Sequence, residues 1–186
     1  MDEIILGIDP GLANTGWGIV RSHGGSLSCV AYGCVSTSPD EELSKRLHRI
    51  HGQIHAVIER YAPTSVGIES VWFGKNVTAA FKTGQARGAA LVACAGNGLD
   101  VSEFTPREIK MTIVGNGSAE KGQIQYMVKQ ILDLDEVPRP DHSSDALAAA
   151  ICCRIGSRMR RLQQKDAKSD RRPAPCGFHG NGKAAS

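Results

Sequence analysis

The chain has 186 residues, enough for one domain of ordinary size with a hydrophobic core. No window approaches 18 uninterrupted apolar residues, and "MDEIILG" is too short and too acidic for a signal peptide, so a cytoplasmic protein without a membrane span is expected. The formal charge of +3 is uneven: residues 157–186 carry eight Lys/Arg against two acids, or +6, and 3 minus 6 leaves −3 on residues 1–156, so the body cannot hold a polyanion by net charge alone.

In chain order, "IILGID", "GWGIVRS" and "LSCVAYGCV" are apolar, partly alternating runs, with Gly24-Gly25 separating the second and third. They predict a three-strand antiparallel meander. Ser38, Pro39 and Glu41 match a capping box, and Leu43, Leu47, Ile50, Ile54, Val57 and Tyr61 then recur at helical steps as one apolar stripe. After Pro63, "SVGIES" reads as a buried strand. A helix follows over about 76–96, a strand from Leu99, and a helix whose cap is Thr105, Pro106 and Glu108. Another helix begins near Ser118, and "DHSSDALAAAICCRIGSRMRRL" opens the last. Beyond it the chain turns polar, basic and rich in Gly and Pro. The expected organisation is a folded domain over 1–157 and a basic, disordered tail over 158–186. The six cysteines have no metal-finger spacing and read as small hydrophobes of a reducing compartment.

This order predicts an α/β fold: a mixed five-stranded sheet, the meander plus βα units, with helices on both faces. A right-handed crossover makes the strand ending at Glu69 parallel to the strand ending at Asp9, so the two acids share one edge of the sheet. His142 and Asp145 are three apart and Asp141 and Asp145 four apart, so either pair can face the same way on a helix. Carboxylates gathered in one cleft repel unless a cation neutralises them. Such hard oxygen ligands suit magnesium or manganese, and the chemistry that most often needs the cluster is two-ion attack on a phosphodiester. Taken singly, each has a simpler reading: Asp9 as a turn residue before Pro10-Gly11, Asp141 or Asp145 as complements to a helix N-terminus, and His142 as a surface histidine.

The blocks "GIDPGLANTGWGIV", "GIESVWFGKN", "GQARGAAL", "FTPREIKMTIVGNGSAEKGQIQYMV" and "DHSSDALAAAICC" occur collinearly, and over 4–157 the chain resembles the RuvC family of Holliday junction resolvases. The resemblance implies an RNase H-like fold, a homodimer, and paired nicks in four-way DNA junctions during recombination and repair. It implies two Mg2+ ions per subunit, with Mn2+ able to substitute, and 5′-phosphate and 3′-hydroxyl ends. Asp9, Glu69 and Asp145 match the family's acids, with Asp9 the candidate to bridge both ions. His142 stands where many members have aspartate and some histidine, and Asp141, one residue earlier, is the second choice. Neutral imidazole is a softer ligand than carboxylate, which predicts a stronger manganese preference than in an all-carboxylate site.

For DNA contact, Trp72 resembles the family's wedge or stacking aromatic, with Phe73 beside it. Lys75, Arg87, Lys110 and Lys121 are candidate phosphate contacts. Phe81, Gly84, Gly88, Leu91 and Ala95 lie on one side of a helix. Packing on its own sheet would explain the small residues, whereas the resemblance implies pairing across a two-fold axis. The RuvA and RuvB branch-migration proteins are the implied partners. A sugar-kinase-like ATPase would need a second domain, and an RNase H-like enzyme on RNA or plain duplex keeps the fold with another substrate.

Overall fold

The computed structural model describes residues 2–70 and 77–169, the last of them, 158–169, as backbone alone. Ten elements follow one another: β1 (Glu3–Asp9), β2 (Asn14–His23), β3 (Ser26–Ser36), α1 (Leu43–Tyr61), β4 (Ser65–Glu69), α2 (Val77–Gly96), β5 (Val101–Phe104), α3 (Pro106–Val114), α4 (Lys121–Ile131) and α5 (Asp141–Ser169). One sheet orders the strands β3-β2-β1-β4-β5, with β1 antiparallel to β2 and parallel to β4. This is the mixed α/β sheet that the pattern predicts. Gly24 and Gly25 close the β2–β3 hairpin at φ of +58° and +101°, the left-handed backbone that a two-residue turn demands.

Strand alternation feeds two separate cores. Leu6, Ile8, Ile19, Val66 and Ile68 meet Ile50, Ile54, Ala86 and Ala90 of α1 and α2 on one face. On the other, Ile5 and Val20 meet Leu147 and Ile151 of α5, with Ile109 and Ile113 of α3 and Ile124 and Val128 of α4. Burial on both faces explains why the central strands read as nearly continuous apolar runs.

The caps divide. Thr105 and Glu108 form the predicted box: the Glu108 amide donates to Thr105 Oγ1 at 3.2 Å and the Thr105 amide to Glu108 Oε2 at 2.7 Å. The box predicted at Ser38 does not form, because the Asp40 amide takes Ser38 Oγ at 3.2 Å and Arg49 takes the Glu41 carboxylate at 2.9 Å. Helix α1 therefore starts later, at Leu43, with no side-chain cap. Helix α4 likewise starts at Lys121 and not near Ser118. Helix α5 runs past residue 157 to Ser169, and the disorder expected farther along the tail lies outside the described residues.

Candidate active site

Strand β1 ends at Asp9 and β4 at Glu69, and Ile8 pairs with Ile68 in parallel register, so both carboxylates emerge at one edge of the sheet. Each lies two residues after a glycine and therefore on the same face as it. Gly18, Gly7 and Gly67 form one cross-strand row, and α5 lies directly on it. A Cβ on Gly7 would stand 1.8 Å from the Ala146 carbonyl oxygen, and one on Gly67 2.4 Å from that of Ala149. Gly16, the register partner of Asp9, would meet the His142 carbonyl oxygen at 1.9 Å. The glycine row and the alanines of "DALAAA" thus let the first turn of α5 sit against the end of β1.

That contact completes the site. One ligand atom from each of Asp9, His142 and Asp145 falls within 4.8 Å of the others. His142 Nδ1 is 2.7 Å from Asp9 Oδ2. With an ionised carboxylate as acceptor, the imidazole donates from Nδ1 and its Nε2 lone pair stays available to a cation. Glu69 lies beside this trio and feels its charges. Asp141 stands outside this trio: Lys121 Nζ is 3.4 Å from its carboxylate and Arg139 3.8 Å. Of the two residues between which the sequence leaves the choice open, His142 is the one whose ligand atom gathers with those of Asp9 and Asp145 among the described residues.

The electrostatics mark a site short of positive charge. Burial, then the charges of Asp9 and Asp145, push the Glu69 carboxyl up to about 7. Burial also raises Asp145, although the bond from Lys121 opposes the shift. The hydrogen bond to Asp9 raises His142. Glu69, Asp145 and His142, each holding its proton more readily than usual, join Asp9 in a donor set suited to a divalent cation of oxygen and nitrogen preference.

Lys121 Nζ stands 3.0 Å from Asp145 Oδ2 and bridges to Asp141. Burial disfavours its charge, but Asp145 and Asp141 outweigh that and its pKa is raised. This link between the first residue of α4 and the start of α5 is a long-range contact with no local sequence signal. Lys110 joins Glu69, Lys121 and Asp145 in lining a cavity of about 250 Å³. Arg87 is paired with Glu103 of β5, so among the described residues Lys110 and Lys121 are the predicted cations at the acidic centre. Trp72, Phe73 and Lys75 lie outside the described residues.

Residues 5–153 match the family model described as crossover junction endodeoxyribonuclease RuvC. A protein of that name from Natranaerobius thermophilus is 44% identical over 157 residues, covering 84% of this chain and 98% of the relative. One from Heliobacterium modesticaldum is 47% identical over 150 residues, 81% and 93% of the respective chains. Thermus thermophilus RuvC, solved in complex with a Holliday junction substrate, superimposes with a TM-score of 0.81 at 36% identity, covering 85% of this chain and 96% of that one.

Proposed function

The chain belongs to the RuvC family of crossover junction endodeoxyribonucleases, and from that premise we propose that Asp9, Glu69, His142 and Asp145 are its catalytic metal ligands. The enzyme resolves four-way DNA junctions by paired symmetric nicks that leave 5′-phosphate and 3′-hydroxyl ends. One observation carries the assignment: residues from the two ends of the sequence, Asp9 and the pair His142 and Asp145, gather their ligand atoms within 4.8 Å. Two divalent ions bound there, Mg2+ or in its place Mn2+, would supply Lewis-acid stabilisation of the attacking and leaving oxygens of the phosphodiester and lower the pKa of the hydrolytic water.

The chain's own part is to hold this charge ready. Asp9 ends the strand next to that of Glu69 and is hydrogen-bonded to His142, so it would be the residue placed to hold both ions. The hydrogen bond from Nδ1 to Asp9 orients the His142 ring. Lys110 and Lys121 line the same cavity as Glu69 and Asp145, so they meet the DNA phosphate as it arrives. Lys121 pairs with Asp145 and Asp141, and a cation held by these acids would leave its charge to the phosphate. Trp72 and Phe73 serve as the aromatic wedge at the crossover, with Lys75 and Arg87 as further DNA contacts.

The assembly we propose is a homodimer through α2. Val77, Phe81 and Val92 are 69%, 65% and 62% exposed on one side of that helix, and a Cβ on Gly84 or Gly88 would meet nothing within 4 Å. Packing on their own sheet therefore does not account for these glycines, whereas a second helix across a two-fold axis does. The domain of residues 1–157 carries the chemistry, and the basic tail of 158–186 follows it. The enzyme works in the cytoplasm, with RuvA and RuvB as branch-migration partners.

The test uses a labelled four-way junction, a matched duplex and a matched RNA–DNA hybrid with Mg2+ or Mn2+. Paired, religatable nicks confined to the junction are expected. Metal-dependent cutting of the hybrid or duplex with the junction intact would overturn the substrate.

A further inference from the structure

Beside the acidic centre lies a larger concave surface, about 880 Å³, lined by Thr105, Pro106, Arg107, Lys110, Met111 and the 115–118 loop. Pro106 and Lys110 line both cavities, so one opens beside the other. Its cations differ from the paired ones nearest the acidic centre and along α1. Arg87 is neutralised by Glu103, Lys121 by Asp141 and Asp145, and Arg49 by Glu41. Among the described residues, no carboxylate is within ion-pair distance of Arg107 or Lys110. Two unneutralised cations one helical turn apart on α3 line a hollow that continues into the site of phosphodiester cleavage.

The floor of the hollow sets how Arg107 is presented. A Cβ on Gly117 would lie 3.1 Å from Arg107 Cγ, 3.3 Å from its Nε and 3.6 Å from Met111 Cγ. The arginine stem therefore rests close against the loop, where an added methyl group would press it aside by a few tenths of an ångström. Gly115 earlier in the same loop takes φ of +76° as the α3 cap, whereas Gly117 has no such requirement. Its lack of a side chain bears on the contact and not on the backbone. Met111, half exposed in the same hollow, adds an apolar surface beside the two charges.

We propose that this groove is a strand subsite of the junction, in which Arg107, seated on Gly117, holds a backbone phosphate flanking the scissile one while Met111 packs against the adjoining sugar or base. The inference rests on the junction-cleaving reading and extends it to a residue outside the acidic centre. A phosphate contact positions the strand and contributes affinity that falls with salt, without entering the bond-breaking step.

The experiment measures junction binding by the full-length protein in Ca2+ across a salt series, and single-turnover cleavage in Mn2+ at saturating protein. Arg107→Gln should weaken binding about tenfold and reduce the slope of log affinity against log salt by about one. The saturating cleavage rate should change far less than the affinity. Gly117→Ala should reproduce part of the affinity loss, and add little in the Arg107→Gln background, as coupled neighbours do. Equal affinity and equal salt slope for Arg107→Gln and the unaltered protein would overturn the subsite. Fully additive losses would overturn the seating of Arg107 on Gly117. The isotherms need no turnover, so they decide the groove separately from whether the unaltered protein cuts the junction.

Discussion

His142 Nδ1 lies 2.7 Å from Asp9 Oδ2, a hydrogen bond that ties the first turn of α5 to the last residue of β1. Asp9→Asn keeps the shape of that contact and removes its charge. Junction cleavage should fall by about a thousandfold or more, while junction binding in Ca2+ and the thermal midpoint in chelator stay near those of the unaltered protein. Loss of binding together with cleavage would reassign Asp9 from chemistry to holding the fold.

His142→Asp turns a mixed donor set into four carboxylates. Harder ligands favour magnesium, so the ratio of Mn2+-supported to Mg2+-supported cleavage, measured at saturating metal, should drop by about tenfold. An unchanged ratio would mean that the imidazole does not set the metal preference.

The metal-free site should make the protein less stable as pH rises. The Glu69 carboxyl is raised from 4.5 to about 7, so between those values the folded state holds a proton that the unfolded state has released. Stability then decreases across that window. His142 acts in the same direction: its pKa is raised by Asp9, so its contribution is complete below its ordinary value and is lost as pH passes the folded one. Urea unfolding in chelator should give a value lower at pH 8 than at pH 5 by on the order of 1–3 kcal/mol. Mn2+ should restore the difference at pH 8, and Glu69→Gln should flatten the slope. A flat profile in the unaltered protein would contradict the clustering of charge.

Two glycine substitutions should have opposite effects. Gly7→Ala sets a Cβ 1.8 Å from the Ala146 carbonyl oxygen, backbone that cannot yield without lifting α5. Destabilisation of about 3 kcal/mol or more is expected in chemical denaturation, with loss of the site. Gly84→Ala meets no atom within 4 Å and replaces glycine inside a helix, so the single chain should gain roughly 0.5–1 kcal/mol.

Phe81→Asp tests the α2 pairing. Phe81 is 65% exposed, so a charge there costs the monomer little, whereas a two-fold contact would place two like charges together. Sedimentation at micromolar concentration should find the variant monomeric and the unaltered protein dimeric. A monomer in both cases would remove the basis for coordinated nicks.

Much of the architecture is legible from local pattern. The period-2 runs and Gly24-Gly25 specify the meander, the 3-and-4 spacing from Leu43 to Tyr61 specifies α1, and Thr105 with Glu108 specifies the start of α3, each through contacts between residues close in the chain. The α1 cap was misleading for the complementary reason: Glu41 finds a stronger partner in Arg49, two turns into the helix, than in the local box.

Local pattern places each acid at the end of its strand or helix, because alternation, helical spacing and terminating residues are short-range properties. Tertiary structure decided which of them meet. The glycine row under "DALAAA" governs how closely α5 approaches β1 and β4. That approach brings His142 to Asp9 and leaves Asp141 to Lys121. The same packing commits Arg87 to Glu103 and, among the described residues, leaves no acid within ion-pair distance of Arg107. Charge neutralisation and burial depend on neighbours tens of residues away, and those neighbours exist only once the sheet and its covering helices have closed.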